Sequence, residues 1–132
     1  MPRRKMPELS QREITQQKLK RVRETEDIQE ILELTQDQDP YVRAQSVRTI
    51  CPCKVQDKID LFWERVLEMV EDPDDNVRAN VLHVLCDGSP EYLEDKVIQA
   101  VQEFNSDPNR DIKRKAHKVL GSYYSTGKWN VL

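Results

Sequence analysis

One acidic stretch, Asp72-Pro73-Asp74-Asp75-Asn76-Val77-Arg78, constrains the fold more than any other feature of this sequence, because related stretches stand on both sides of it. Asp39-Pro40-Tyr41-Val42-Arg43 lies upstream and Asp107-Pro108-Asn109-Arg110-Asp111-Ile112-Lys113 downstream, so that Val42, Val77 and Ile112 follow one another at 35-residue spacing. A fixed period of this length marks stacked supersecondary units, each of which buries its apolar face only against its neighbours. Every copy joins an apolar-periodic segment ending in acids to a second one that begins at a proline, which reads as helix, turn, helix. A proline in the first helical turn gives up an N–H that has no helical acceptor, and the aspartate before it caps the remaining donors. Each Asp-Pro pair is therefore expected to start a helix. The second helix of each unit then keeps one register, with Val42, Ser46 and Ile50, then Val77, Val81 and Leu85, then Ile112, Ala116 and Leu120 on one face.

These residues give the chain a resemblance to HEAT-repeat proteins, armadillo-like α-solenoids of paired helices. The third copy, Asp107-Pro108 through Ile112-Lys113, Ala116 and Leu120-Gly121, carries it most closely, and the resemblance spans residues 24–126. Cys51-Pro52-Cys53 and His83 through Pro90 also resemble short stand-alone bacterial HEAT proteins. The period is shorter than the ~40–47 residues usual for HEAT units, but the Trp, Leu-Gly and Tyr signature of tetratricopeptide repeats and the Thr-Pro-Leu-His signature of ankyrin repeats are missing. The implied fold class is all-α, a right-handed solenoid of about three helix pairs, with residues 1–23 as a basic N-terminal tail or helix and 24–132 as the repeat domain. Helices are expected near 26–36, 40–51, 57–71, 75–87, 90–105 and 109–125, and Ser10 is placed to cap one running to Arg23.

Charged residues make up 34% of the chain and hydrophobic ones 37%, a balance that a solenoid accommodates because its core is thin and shared between neighbours. The net charge of −3 hides a strong asymmetry. Residues 1–23 hold eight basic side chains against two acids, residues 24–109 hold seven against twenty-one, and the remainder holds six against Asp111 alone. With no leader-like segment and no long apolar run, a cytoplasmic setting is expected, the nucleus being the alternative. The strongest amphipathic segment runs from Lys54 to Val70, where Ile59, Phe62, Trp63, Val66, Leu67 and Val70 form a continuous stripe and Trp63 reads as a core residue. Asp57, Asp60, Glu64, Glu68 and Glu71 lie opposite as an acidic outer face. Tyr123, Tyr124 and Trp129 gather near the end, where aromatic closure of the last unit's core is expected.

Sequence equivalence in a solenoid becomes spatial adjacency, since stacked helix axes lie roughly 8–10 Å apart. Arg48, His83 and Lys118 then form one exposed row, with Ala44, Ala79 and Arg114 beside it. The resemblance implies that the second helices line the concave side, which makes this a basic stripe, densest at Arg110, Lys113, Arg114, Lys115 and Lys118. Tyr41 is added to these as a binding candidate, and Tyr41, Tyr124 and Trp129 are the aromatic side chains on which a base could stack. Arg43, Arg78 and Lys113 share the position at which HEAT proteins tie one unit to an Asp of the next, and they read as structural. Cys51, Cys53 and Cys86 with His83 make a Cys₃His set, a combination zinc accepts, but Cys-x-Cys departs from the usual ligand spacing and free cysteine packs well as a small apolar residue, so buried or idle thiols and no metal are expected. The His-Glu pairs of HEAT-type di-iron hydroxylases are absent, HEAT-like DNA glycosylases offer no carboxylate that maps onto this chain, and no phosphate-cradling glycine loop occurs. No catalysis and no cofactor are expected. The leading expectation is a scaffold that holds an acidic protein segment on the basic stripe and the basic N-terminal arm, and the alternative is a nucleic-acid binder that turns the same side chains to phosphate.

Overall fold

A computed structural model describes residues 8–49 and 60–132 of the chain, and all regular structure among them is helical. Seven α-helices follow in order: α1 (Gln11–Glu24), α2 (Ile28–Leu34), α3 (Pro40–Thr49), α4 (Asp60–Glu68), α5 (Asp75–Gly88), α6 (Glu94–Phe104) and α7 (Arg110–Thr126). A 3₁₀ turn extends α4 through Glu71 and another leads into α6 from Glu91. None of these helices is long and apolar enough to cross a membrane. Cys51 and Cys53 fall outside the described residues, as do the expected end of α3 and start of α4.

The caps explain where the helices begin. Ser10 accepts from the Glu13 N–H (3.2 Å), Asp27 from Gln29 (3.0 Å), Asp74 from Val77 (3.0 Å), and Asn109 from both Asp111 (3.0 Å) and Ile112 (3.2 Å). Asp39 accepts from Tyr41 (2.9 Å), so at Asp39-Pro40 the sequence pair does start a helix. At the other two copies it does not. Pro73 and Pro108 sit one residue before the caps Asp74 and Asn109, and the true equivalents of Asp39 at 35-residue spacing are those caps. Asp72 and Asp107, with Asp37 upstream, form a separate series that faces inward and ties units together.

That series is the clasp of the fold. Arg43 makes a two-pronged pair with Asp72, Nε and Nη2 donating at 3.0 and 3.1 Å, while Nη1 donates to the carbonyls of Asp37 and Gln38. Arg78 repeats the arrangement on Asp107 at 2.9 and 3.3 Å, with Nη1 on the carbonyls of Asp72 and Pro73. Each arginine thereby closes its own interhelical turn and reaches the next unit at once. Lys18 of α1 joins the same series by donating to Asp37 at 2.7 Å. Lys113, at the third arginine position, is exposed and meets no acid among the described residues. The structural reading of Arg43 and Arg78 thus holds, and Lys113 makes no such tie among the described residues.

α1, α3, α5 and α7 stack side by side as inner helices, and α2, α4 and α6 pack across their outer side. The predicted register packs wherever it is described: Val42, Ser46, Val77, Val81, Leu85, Ile112 and Ala116 are fully buried and Leu120 nearly so, and Ile50 lies outside the described residues. Leu19 and Val22 dock α1 on this core. On α4 the deepest residues are Phe62 and Val66, whereas Trp63 and Leu67 are only half-buried against the core. Expecting Trp63 in the interior overstated its burial, since the helical stripe is broader than the strip that α2, α5 and α6 cover.

The chain's last residues close the third unit. Gly127, at φ +77°, ends α7 in the left-handed region, and the following segment turns back over the end of α5. Trp129 is buried, donating its indole N–H to the Ser89 hydroxyl at 2.7 Å and meeting Tyr123 edge-on at 6.2 Å between centroids. The Leu132 amide donates to the Cys86 carbonyl at 2.9 Å. The expected aromatic closure is present in Trp129 and Tyr123. Tyr124 stays 66% exposed, its hydroxyl accepting from Gln102.

Candidate functional site

The inner helices bring part of the expected stripe together and divide the rest. His83, half-buried on α5, feels the charge of Arg48 from α3 and of Lys115 from α7. Burial, followed by those two cations, holds its imidazole below the ordinary histidine range, while Asp87, with a carboxylate oxygen 3.7 Å from Nε2, pulls partly the other way. Arg48 is aimed by α5, since Nη1 donates to the Asn80 side-chain oxygen at 3.2 Å and the Asn80 amide in turn donates to the Asn76 carbonyl. Three successive inner helices thus converge on one histidine. The 35-residue spacing places Lys118 in this row, and Lys115, about one turn earlier on α7, acts on His83 through its charge.

The other candidates surround this cluster unevenly. Lys118, Arg110 and Arg114 are exposed on α7, and Arg114 spends its charge on Asp111 at 2.9 Å. Ala44, expected beside the exposed row, is fully buried, whereas its equivalents Ala79 and Arg114 are half-buried and exposed. α3 is flanked on both sides, by α1 and α5, which is why the face opens only toward α7. Tyr41, 51% exposed, sits at the start of α3, roughly 10 Å along the helix from Arg48. That end of the face is acidic and polar. A shallow cavity of about 230 Å³ between α5 and α7 is lined there by Asp75, Asn76, Asn109, Asp111 and Lys115. Asn109 donates to Asp75 at 2.9 Å across the two helices. Carboxylates and cations are therefore interleaved here, Arg110, Asp111, Arg114 and Lys115 all lying within the first two turns of α7, and neither α5 nor α7 carries a basic residue in its last turn.

Cys86 ends the regular part of α5, its φ and ψ of −111° and 18° departing from helical values. Its side chain is fully buried, and burial pushes the thiol up to about 12, so it remains protonated. Among the described residues no group of three or more His, Cys, Asp or Glu side chains is placed to hold a metal. The proposed Cys₃His set includes Cys51 and Cys53, which lie outside them.

Sequence reasoning missed three contributors. Asn80 orients Arg48, Asp37 accepts Lys18, and the carboxylates of Asp75 and Asp111 interrupt the basic surface. Asp37 was legible in principle, since it precedes Asp72 by the repeat length. Asn80 was not, because an interhelical hydrogen bond has no period.

Comparison with known proteins agrees with the fold. No curated protein and no solved structure gives a significant match. The family described as "Sister chromatid cohesion protein PDS5 protein" matches residues 29–129, from the second residue of α2 to Trp129. Helix pairing, the 35-residue repeat and that match over most of the sequence agree that the chain is a HEAT-like all-α solenoid and that it belongs to the PDS5 family.

Proposed function

We propose that this chain is a non-catalytic scaffold whose inner face holds an acidic protein segment, with Arg48, His83 and Lys115 at the centre and Arg110, Arg114 and Lys118 extending the surface along α7. Membership of the PDS5 family supports a protein-interaction role. The observation that supports the finer reading is that Arg48 of α3 and Lys115 of α7 both act on the half-buried His83 of α5, because two cations on separately packed helices are then brought toward one place by the stacking of the inner helices. Their mutual repulsion is relieved by an anionic ligand, which pre-organises the site for one.

The test uses a fluorescein-labelled peptide of alternating glutamate and serine, read by anisotropy. Arg48→Glu with Lys115→Glu is expected to weaken binding by at least about tenfold, and Lys113→Glu, outside the cluster, by much less. A polyanion reading is separated by salt. Nucleic acid displaces counterions with a log–log slope of roughly −0.7 to −0.9 per phosphate contact, so a single-stranded oligonucleotide that binds more tightly than the peptide and loses about one unit of slope in Lys115→Ala refutes the protein-partner reading.

A further inference from the structure

We propose that the crevice between the outer helices α4 and α6 is a second binding surface, separate from the inner face, and that it takes a basic peptide segment anchored by one aliphatic or aromatic side chain. Two concavities of about 200 and 220 Å³ lie along this crevice and are continuous through Leu67 and Lys96, which line both. Their floor is apolar. Leu67, Val70 and Ala100 form it in one, and Trp63, Leu67 and Leu93 in the other. Trp63 and Leu67 lie on the core without being covered by it, so the floor offers apolar area that a ligand can still remove from water. Each concavity is smaller than the ~300 Å³ at which pockets for whole small molecules begin, and it suits a single side chain.

Charge identifies the occupant. Segments 60–71 and 91–104 carry eight carboxylates and two basic residues, Arg65 and Lys96. Arg65 is directed onto α2, donating to the Thr35 carbonyl at 3.0 Å and its hydroxyl at 3.1 Å, and it also pairs with Glu68 at 3.1 Å. Among the described residues Lys96 is left as the cation lining the crevice, against Asp60, Glu64 and Glu103. The rim at Asp60 is fixed, because the Tyr92 hydroxyl of the neighbouring segment donates to it at 2.7 Å. An apolar floor under an anionic rim repels acidic segments and nucleic acid and attracts lysine- or arginine-rich chain. The inner face selects the opposite charge, so the two surfaces allow one copy of the chain to join two different partners.

The experiment uses the full chain as a Trp129→Phe variant, which leaves Trp63 as the sole tryptophan. The probe is a short amidated peptide of arginines flanking one central phenylalanine, labelled with fluorescein for anisotropy, and unlabelled for the Trp63 emission. Saturable binding that shifts the Trp63 emission is expected. Glu64→Lys is expected to weaken it by about tenfold or more, Lys96→Glu to tighten it, and a control peptide with serine in place of phenylalanine to bind at least about tenfold more weakly. The inner-face variant Arg48→Glu with Lys115→Glu is expected to bind the probe as well as the parent does, which keeps this test independent of the scaffold reading. Equal affinity of the serine control, indifference to Glu64→Lys and Lys96→Glu, or no binding overturns the proposal. Self-association that protects Trp63 at the protein concentrations used puts a second copy in the crevice and overturns it too.

Discussion

Replacing Arg78 by Met tests whether the repeated Arg–Asp clasp couples the units or merely decorates them. The guanidinium makes two bonds to Asp107 and two to the carbonyls of Asp72 and Pro73, and the pair is well shielded, with 15% of the Arg78 and 6% of the Asp107 side chain exposed. Methionine retains most of the apolar stem and removes every donor. Breaking a fully buried ion pair from one side costs about 3–5 kcal/mol because a charge is left without its partner. Here Asp107 still accepts from the Asn109 amide at 2.9 Å, and Arg78 keeps an edge in water, so a loss of about 2–3 kcal/mol is expected. Against a typical total of ~5–15 kcal/mol that is a large share, and in a solenoid it falls on the interface between neighbouring units. Urea unfolding followed by far-UV circular dichroism measures it. Arg43→Met should cost a similar amount through Asp72, and Lys113→Met, at the equivalent exposed position, should stay within about 0.5 kcal/mol. A cycle with Asp107→Asn should return a coupling of at least about 1 kcal/mol. If Arg78→Met costs under about 0.5 kcal/mol, or if the two changes simply add, the clasp does not hold the units together and the reasoning fails.

Two further outcomes follow from burial and charge. Phe62→Ala should cost about 3–5 kcal/mol and its neighbour Trp63→Ala about half as much despite the larger ring, because only Phe62 is enclosed; equal losses in urea unfolding would contradict the packing described for α4. His83 has a folded-state pKa held below its unfolded value of ~6.5, so the unfolded chain binds the proton first as the pH falls. Its contribution to stability is present above that range and is lost on acidification through it. His83→Gln should therefore lose less stability than the parent between neutral and mildly acidic pH, and identical pH profiles would show that His83 is not perturbed in the fold.

The sequence by itself determined the repeat, the helices and the buried register. Those depend on local chemistry, since caps, turn residues and the spacing of apolar side chains act within one or two helical turns. Val42, Val77 and Ile112 could be named as core because equivalent positions in a stacked repeat meet equivalent surroundings. The same logic located Arg43 and Arg78. It mistook Asp72-Pro73 and Asp107-Pro108 for helix starts, because an aspartate beside a proline satisfies the capping rule whether its carboxylate turns to the following amides or to an arginine of the preceding unit, and only packing decides which.

What tertiary structure alone decided concerns surfaces. Sequence equivalence expects a basic row through Lys118; that Lys115, about one turn earlier, acts on His83 could not be read from it, because which residues face one another across an interface depends on how adjacent helices are rotated and inclined, which the repeat length does not specify. Exposure depends in the same way on what lies alongside. Ala44 is buried between flanking helices while Arg114, its equivalent two units on, is open to solvent, and the acidic outer helices become a crevice only when α4 and α6 lie side by side. A linear pattern encodes which face of a helix turns inward; which residues share the space between two helices is fixed only by their packing.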